Sequence, residues 1–110
     1  MGDNLQQTLD LTRQQIEQRV GMGDQLAVPR TIEHSAEFRK RKDAERAAED
    51  LRAIGYVVNL DRRGLTKVLL EAKKESSVEP SVAETFTREV FSVVGNNGGS
   101  YDGWGGVVEA

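Results

Sequence analysis

The stretch YVVNLDRRGLTKVLLEAK, residues 56–73, sets the topology of this chain. Two runs, Tyr56 to Leu60 and Leu65 to Lys73, flank a DRRG connection that ends in Gly64. β-branched and aromatic side chains favour the pleated backbone, and a short loop closed by glycine lets it reverse. The stretch therefore reads as a β-hairpin with a four-residue loop. On its second arm Val68, Leu70 and Ala72 share one face, while Lys67, Glu71 and Lys73 share the other with Leu69. One side of the sheet is core and the other is largely wet.

Working outward, the segment before the hairpin, Ser35 to Ile54, repeats apolar residues at Phe38, Ala44, Ala47, Ala48, Leu51 and Ile54, with Gly55 as a C-terminal stop. It reads as a helix whose alanine-rich face lets it approach a sheet closely. LAVPRTIEH, Leu26 to His34, precedes it and reads as the first strand, with Pro29 near the start, where a missing donor is tolerated. After the hairpin, Pro80 occupies a first helical position, and Val82, Phe86, Val90 and Val93 or Val94 form an i, i+4 stripe up to Gly95. NNGGS then leads into a last strand. The resulting β-α-β-β-α-β order is that of an α+β, ferredoxin-like two-layer sandwich with an antiparallel sheet. Strands one and three are expected at its centre, strands two and four at its edges, and both helices on one face.

Ahead of this unit, Leu5, Leu9, Ile16 and Val20 fall at helical spacing between Gln, Glu and Arg. Asp3 or Asn4 can cap this helix and Gly21 ends it. So thin a stripe does not hold a helix by itself, so it must pack on the domain or on another copy of the chain. The expected organisation is an N-terminal helical extension over 1–22, a candidate for homo-oligomer contact, and a ferredoxin-like domain over 23–110.

Composition narrows the chemistry. The 110 residues include no cysteine, which removes disulfides and thiolate chemistry and fits a reducing compartment, the cytoplasm. With 15 basic and 18 acidic residues the net charge is −3, a poor field for gripping phosphates, so nucleic acid is not the expected partner. The apolar run Val68, Leu69, Leu70 is far short of the about 20 residues of a bilayer-spanning helix, and MGDNLQQTLDL has no charged start with an apolar block, so neither a membrane partner nor a secretory signal is expected. His34 is the sole histidine, and no serine or threonine stands in a nucleophile motif. The glycine cluster near the C-terminus runs from a helix into a strand, the reverse of a phosphate loop. No catalytic residue, metal ligand or cofactor is assigned.

The run RKRK, Arg39 to Lys42, with Arg46 one turn on, is the basic cluster of the sequence. Asp43, Glu45, Glu49 and Asp50 follow on the same helix, and Arg41 with Glu45 or Arg46 with Asp50 make i, i+4 pairs, as an ordinary solvated face does. RNA-recognition modules of this fold stack bases on aromatics of the central strands, and neither LAVPRTIEH nor LTKVLLEAK carries an aromatic.

The ending GGSYDGWGGVVEA, residues 98–110, holds five of the eleven glycines and the only tryptophan. A glycine bulge within the last strand accounts for YDGWG, because an extra residue sharpens the twist and redirects the next side chain, Trp104. Either Trp104 lids the core beside Tyr101, or the bulge presents it at a sheet edge to a partner. The candidate partner-binding residues are Tyr101, Asp102, Gly103, Trp104 and Gly105.

With YDGW followed by glycine, IEH at Ile32 to His34, a helix ending in Gly55-Tyr56 and a helix start at Glu79-Pro80, the chain resembles the bacterial family of the regulator of ribonuclease E activity B. The likeness runs from about Gly21 to Glu109, plus an N-terminal helix of the expected length. The chain departs from the family pattern in its weak acidity. The resemblance implies a ferredoxin-like fold, no enzymatic activity, and binding to ribonuclease E or a degradosome component to adjust RNA degradation. The alternative, on the residues alone, is a small-ligand or RNA-binding module acting through a pocket or patch around Arg39 to Arg46.

Overall fold

The hairpin forms, with longer arms and a tighter turn than the sequence indicates. In the computed structural model, which describes residues 4–110, β2 (Val57–Arg63) pairs antiparallel with β3 (Lys67–Ser76). Asp61, Arg62 and Arg63 continue the ladder opposite Leu69, Val68 and Lys67, so the loop is the three residues 64–66, and Gly64 turns it at φ +64°. The remaining elements are α1 (Leu5–Gly21), β1 (Arg30–Phe38), α2 (Arg41–Ala53), α3 (Pro80–Asn96) and β4 (Ser100–Gly105). The sheet runs β2-β3-β1-β4 with every neighbouring pair antiparallel, so β1 and β3 are central and β2 and β4 are edges, the arrangement expected of the ferredoxin-like sandwich. Ala44, Ala47, Ala48 and Leu51 of α2 and Val90 and Val94 of α3 bury against one face of that sheet, among Ala36, Phe38, Val58, Val68, Leu70 and Ala72.

The first strand lies four residues later than expected at both ends. Arg30, Ile32, His34, Ala36 and Phe38 are buried in strict alternation, a period of two that continues where the sequence reading begins a helix at Ser35. All nine residues of β1 pair with β3, from Arg30 opposite Ser76 to Phe38 opposite Val68. Phe38 is thus a core residue of β1, and α2 starts only at Arg41. The opposite face carries Glu33, Glu37, Lys67, Glu71 and Lys73, where Lys73 reaches Glu33 and Glu71 at 3.5 Å and Lys67 reaches Glu37 at 3.5 Å.

The N-terminal helix packs on its own domain. Asn4 caps it, the side-chain Oδ1 accepting from Gln7 N at 2.7 Å, and Asp3 lies outside the described residues. Its buried face is Thr8, Leu9, Thr12, Ile16 and Arg19, whereas Val20 is exposed. Ile16 joins Ile32, Val78, Ala83 and Phe86 in a second apolar cluster, and the Thr12 and Thr87 hydroxyls meet across α1 and α3 at 3.0 Å. Threonines and an arginine complete a stripe that looks thin when apolar residues alone are counted.

Candidate functional site

β4 carries the expected bulge. Ser35 of β1 stands opposite Gly103 and Ala36 opposite Tyr101, so Asp102 is the extra residue, and Gly103 has φ +120°. In a regular strand residues three apart point to opposite faces. Here the extra residue turns both Tyr101 and Trp104 inward, opposite Ala36 and His34, and leaves Asp102 exposed. The sequence reading of YDGWG as a device that redirects Trp104 describes this geometry.

Tyr101 enters the core at 5% exposure, and its hydroxyl shares a 2.8 Å hydrogen bond with His34 Nδ1. The His34 ring meets Phe86 edge-on at 5.3 Å and Tyr56 at 5.7 Å. Burial pushes the imidazole pKa down to about 4, and it also raises the Tyr101 hydroxyl above its ordinary range. His34 is therefore a core residue whose imidazole is neutral at ordinary pH. Trp104 is half-buried, wedged between helices: edge-on to Phe86 at 4.9 Å, under the Arg19 guanidinium at 5.2 Å, with its indole N–H donating to Thr12 Oγ1 at 3.1 Å. It packs against Phe86 rather than beside Tyr101.

Because β4 pairs only with β1, its outer edge faces α1. The two elements do not close on each other. Between them lies a groove of about 350 Å³, walled by Leu11, Gln14, Gln15 and Gln18 of α1 and floored by Tyr101, Asp102, Gly103 and Trp104. Gln15 Nε2 donates to the Trp104 carbonyl at 3.2 Å, which fixes the direction of that carbonyl as outward. In an antiparallel strand the N–H of a residue points to the same side as its C=O, so both polar backbone groups of Trp104 face the groove. Leu11, 58% exposed, supplies an apolar rim. Four of the five candidate residues thus line one groove, while Gly105 ends β4 half-buried beside it.

The sequence reading missed what anchors α1 to β4. Arg19, Asp24 and Arg30 are all buried. Arg30 Nη1 donates to both Asp24 oxygens at 2.8 and 2.7 Å, and Arg19 Nη1 to one at 3.1 Å. One carboxylate between two guanidiniums leaves a positive excess, which backbone carbonyls absorb: Gly106 and Val107 accept from Arg19, and Val107, Gln25 and Val28 accept from Arg30. Burial alone would raise the Asp24 carboxyl, but hydrogen bonds from Arg30 and Arg19 hold it below the ordinary carboxylate range. A signal exists in the sequence: Arg30 falls in phase with the inward residues Ile32 and His34, and an inward arginine needs a carboxylate partner.

The basic run spans the turn after β1, Arg39 and Lys40, and the start of α2, Arg41 and Lys42, away from the groove. Of the two expected ion pairs, Arg41 meets Glu45 at 3.4 Å, but Arg46 meets Asp43 at 3.9 Å, and Asp50 accepts from Asn97. The wet sheet face carries no aromatic among the described residues, since Phe38, Tyr56 and Tyr101 are all buried. No helix is long and apolar enough to cross a membrane, and no group of three or more His, Asp or Glu is placed to hold a metal, among the described residues.

Comparison with curated proteins found no match. A family model does match, over residues 9–106, which takes in most of α1, the whole sheet and both domain helices. With nearly the entire fold covered, the groove and the bulge included, this chain belongs to the family described as regulator of ribonuclease activity B.

Proposed function

We propose that this chain is a non-enzymatic, cytoplasmic regulator that binds ribonuclease E or a degradosome component and changes RNA cleavage by occupying that partner. The groove between α1 and β4 is the contact surface, with Asp102, Gly103 and the Trp104 backbone edge contributed by β4. The observation that carries this reading is the groove beside the outer edge of β4, rimmed by an exposed leucine. An extended segment entering it can take the place of Gln15 on the Trp104 carbonyl, and the apolar rim supplies the accompanying pocket. Tyr101 and Trp104 serve it from beneath, as the rigid floor that holds the groove open. Family membership supplies the class of partner.

Titration calorimetry with purified ribonuclease E tests the assignment. Leu11→Glu and Asp102→Lys change the rim without touching the core, so both variants should stay folded. The expected result is a weakening of at least about 10-fold, roughly 1.4 kcal/mol. Equal affinity of folded variants and parent would remove the groove from the interface. Trp104→Ala is a poorer probe, because the indole also ties α1 to α3.

A further inference from the structure

The end of the molecule opposite the buried arginines collects basic side chains that lie far apart in sequence. The register Phe38 to Val68 and Arg63 to Lys67 brings the close of β1, the start of α2 and the β2–β3 hairpin to one end of the sheet. There Arg39, Arg41, Arg62 and Lys67 line a shallow depression of about 280 Å³, and Lys40, Lys42 and Arg63 adjoin them in the chain, with Arg46 further along α2. These eight cations stand against four carboxylates, Glu37, Asp43, Glu45 and Asp61, a local charge of +4 on a chain whose net charge is −3.

The ion pairs use only part of that charge. Arg41 is held by Glu45, Arg46 by Asp43 and Lys67 by Glu37. Arg39, Lys40, Lys42, Arg62 and Arg63 are exposed and have no carboxylate within 4 Å among the described residues. Unpaired like charges gathered at one end repel one another, and an anionic partner relieves that repulsion.

We propose that this end of the protein is a contact surface for the phosphate backbone of an RNA strand. An acidic protein partner fits less well, because tight protein interfaces centre on buried aromatic and apolar anchors, and among the described residues of this end Leu65 at the hairpin tip is the one large apolar side chain in the open. Dispersed arginines and lysines suit a phosphate chain. With no aromatic platform on this end, contact is to the backbone and independent of base sequence. The inference goes beyond the proposed groove function and holds whichever protein occupies the groove.

The test is fluorescence anisotropy of the purified chain with a labelled single-stranded oligouridine. If the five unpaired cations each meet a phosphate, affinity should fall about 100-fold between about 50 and 200 mM salt. Arg39→Gln/Arg62→Gln/Arg63→Gln should reduce the salt slope by about 2 and weaken binding about 10-fold or more at the lower salt. Arg13→Gln/Arg88→Gln, which removes exposed cations from α1 and α3, should leave binding unchanged. Absence of binding at low salt, or equal loss in the two variants, would overturn the proposal. Binding of polyglutamate that the triple change abolishes, without binding of RNA, would reassign the surface to an acidic protein.

Discussion

Arginines occupy both ends of this sheet and do opposite things. At one end Arg19 and Arg30 are buried, share Asp24 and donate six hydrogen bonds to backbone carbonyls, three of them to the tail residues Gly106 and Val107. At the other end Arg39, Arg62 and Arg63 stand in water with no carboxylate within 4 Å among the described residues. The first set is satisfied completely by the chain itself and so has nothing left to offer a partner. The second contributes little to the fold and keeps its full charge for something else. Whether a charged residue is structural or functional is decided by what encloses it, and residue type alone does not say.

The enclosed end depends most on Asp24. Asp24→Asn leaves two buried guanidiniums without a countercharge and should cost about 3–5 kcal/mol in urea unfolding. A loss of under 1 kcal/mol would mean that the carbonyls alone neutralise the cluster.

Acid should act on the enclosed groups in the same direction. His34 has a folded pKa of about 4, below its ordinary 6.5, so the unfolded chain binds more protons between those values and stability falls as pH drops through that window. The full loss is roughly 3 kcal/mol on the usual conversion. Asp24, also depressed, adds a further loss below the ordinary carboxylate range. His34→Gln should flatten the decline between pH 6.5 and 4, read as unfolding midpoints against pH, while leaving the more acidic loss in place.

A smaller effect sharpens the account of the bulge. At Gly103, φ +120° lies in a region that L side chains rarely adopt, although a Cβ there would meet no atom within 4 Å. Gly103→Ala should therefore cost about 1 kcal/mol through backbone strain alone, measured by chemical denaturation. The smallest effect belongs to the open end, where Arg39→Gln/Arg62→Gln/Arg63→Gln should leave stability within about 0.5 kcal/mol of the parent.

Sequence carried the parts of this fold that depend on local pattern. The hairpin, the valine stripe of α3 and the glycine bulge are visible because each writes its period or its turn chemistry into adjacent residues. The end of β1 was not, because Ser35, Ala36 and Glu37 are small or polar and Phe38 satisfies either period; pairing with β3 decides it. The packing of α1 was hidden for a related reason. Thr8, Thr12 and Arg19 look like solvent residues until the Thr87 hydroxyl, the Trp104 indole and the Asp24 carboxylate are brought to meet them. Of the candidate site, YDGWG was legible as a bulge, but its groove needed α1 as the opposite wall. The basic end shows the same limit, since RKRK reads as a solvated face until the hairpin adds Arg62 and Arg63.

The proposed function is regulation of an RNA-cleaving partner through the α1–β4 groove, with no cleavage by the chain itself. A cleavage time course of a labelled RNA with full-length ribonuclease E, alone, with the parent chain and with folded Leu11→Glu, tests it directly. The account predicts that the parent changes the cleavage rate, that the variant does so far less at equal concentration, and that the chain without ribonuclease E leaves the RNA intact. An unchanged rate with the parent, or cleavage by the chain alone, would contradict it.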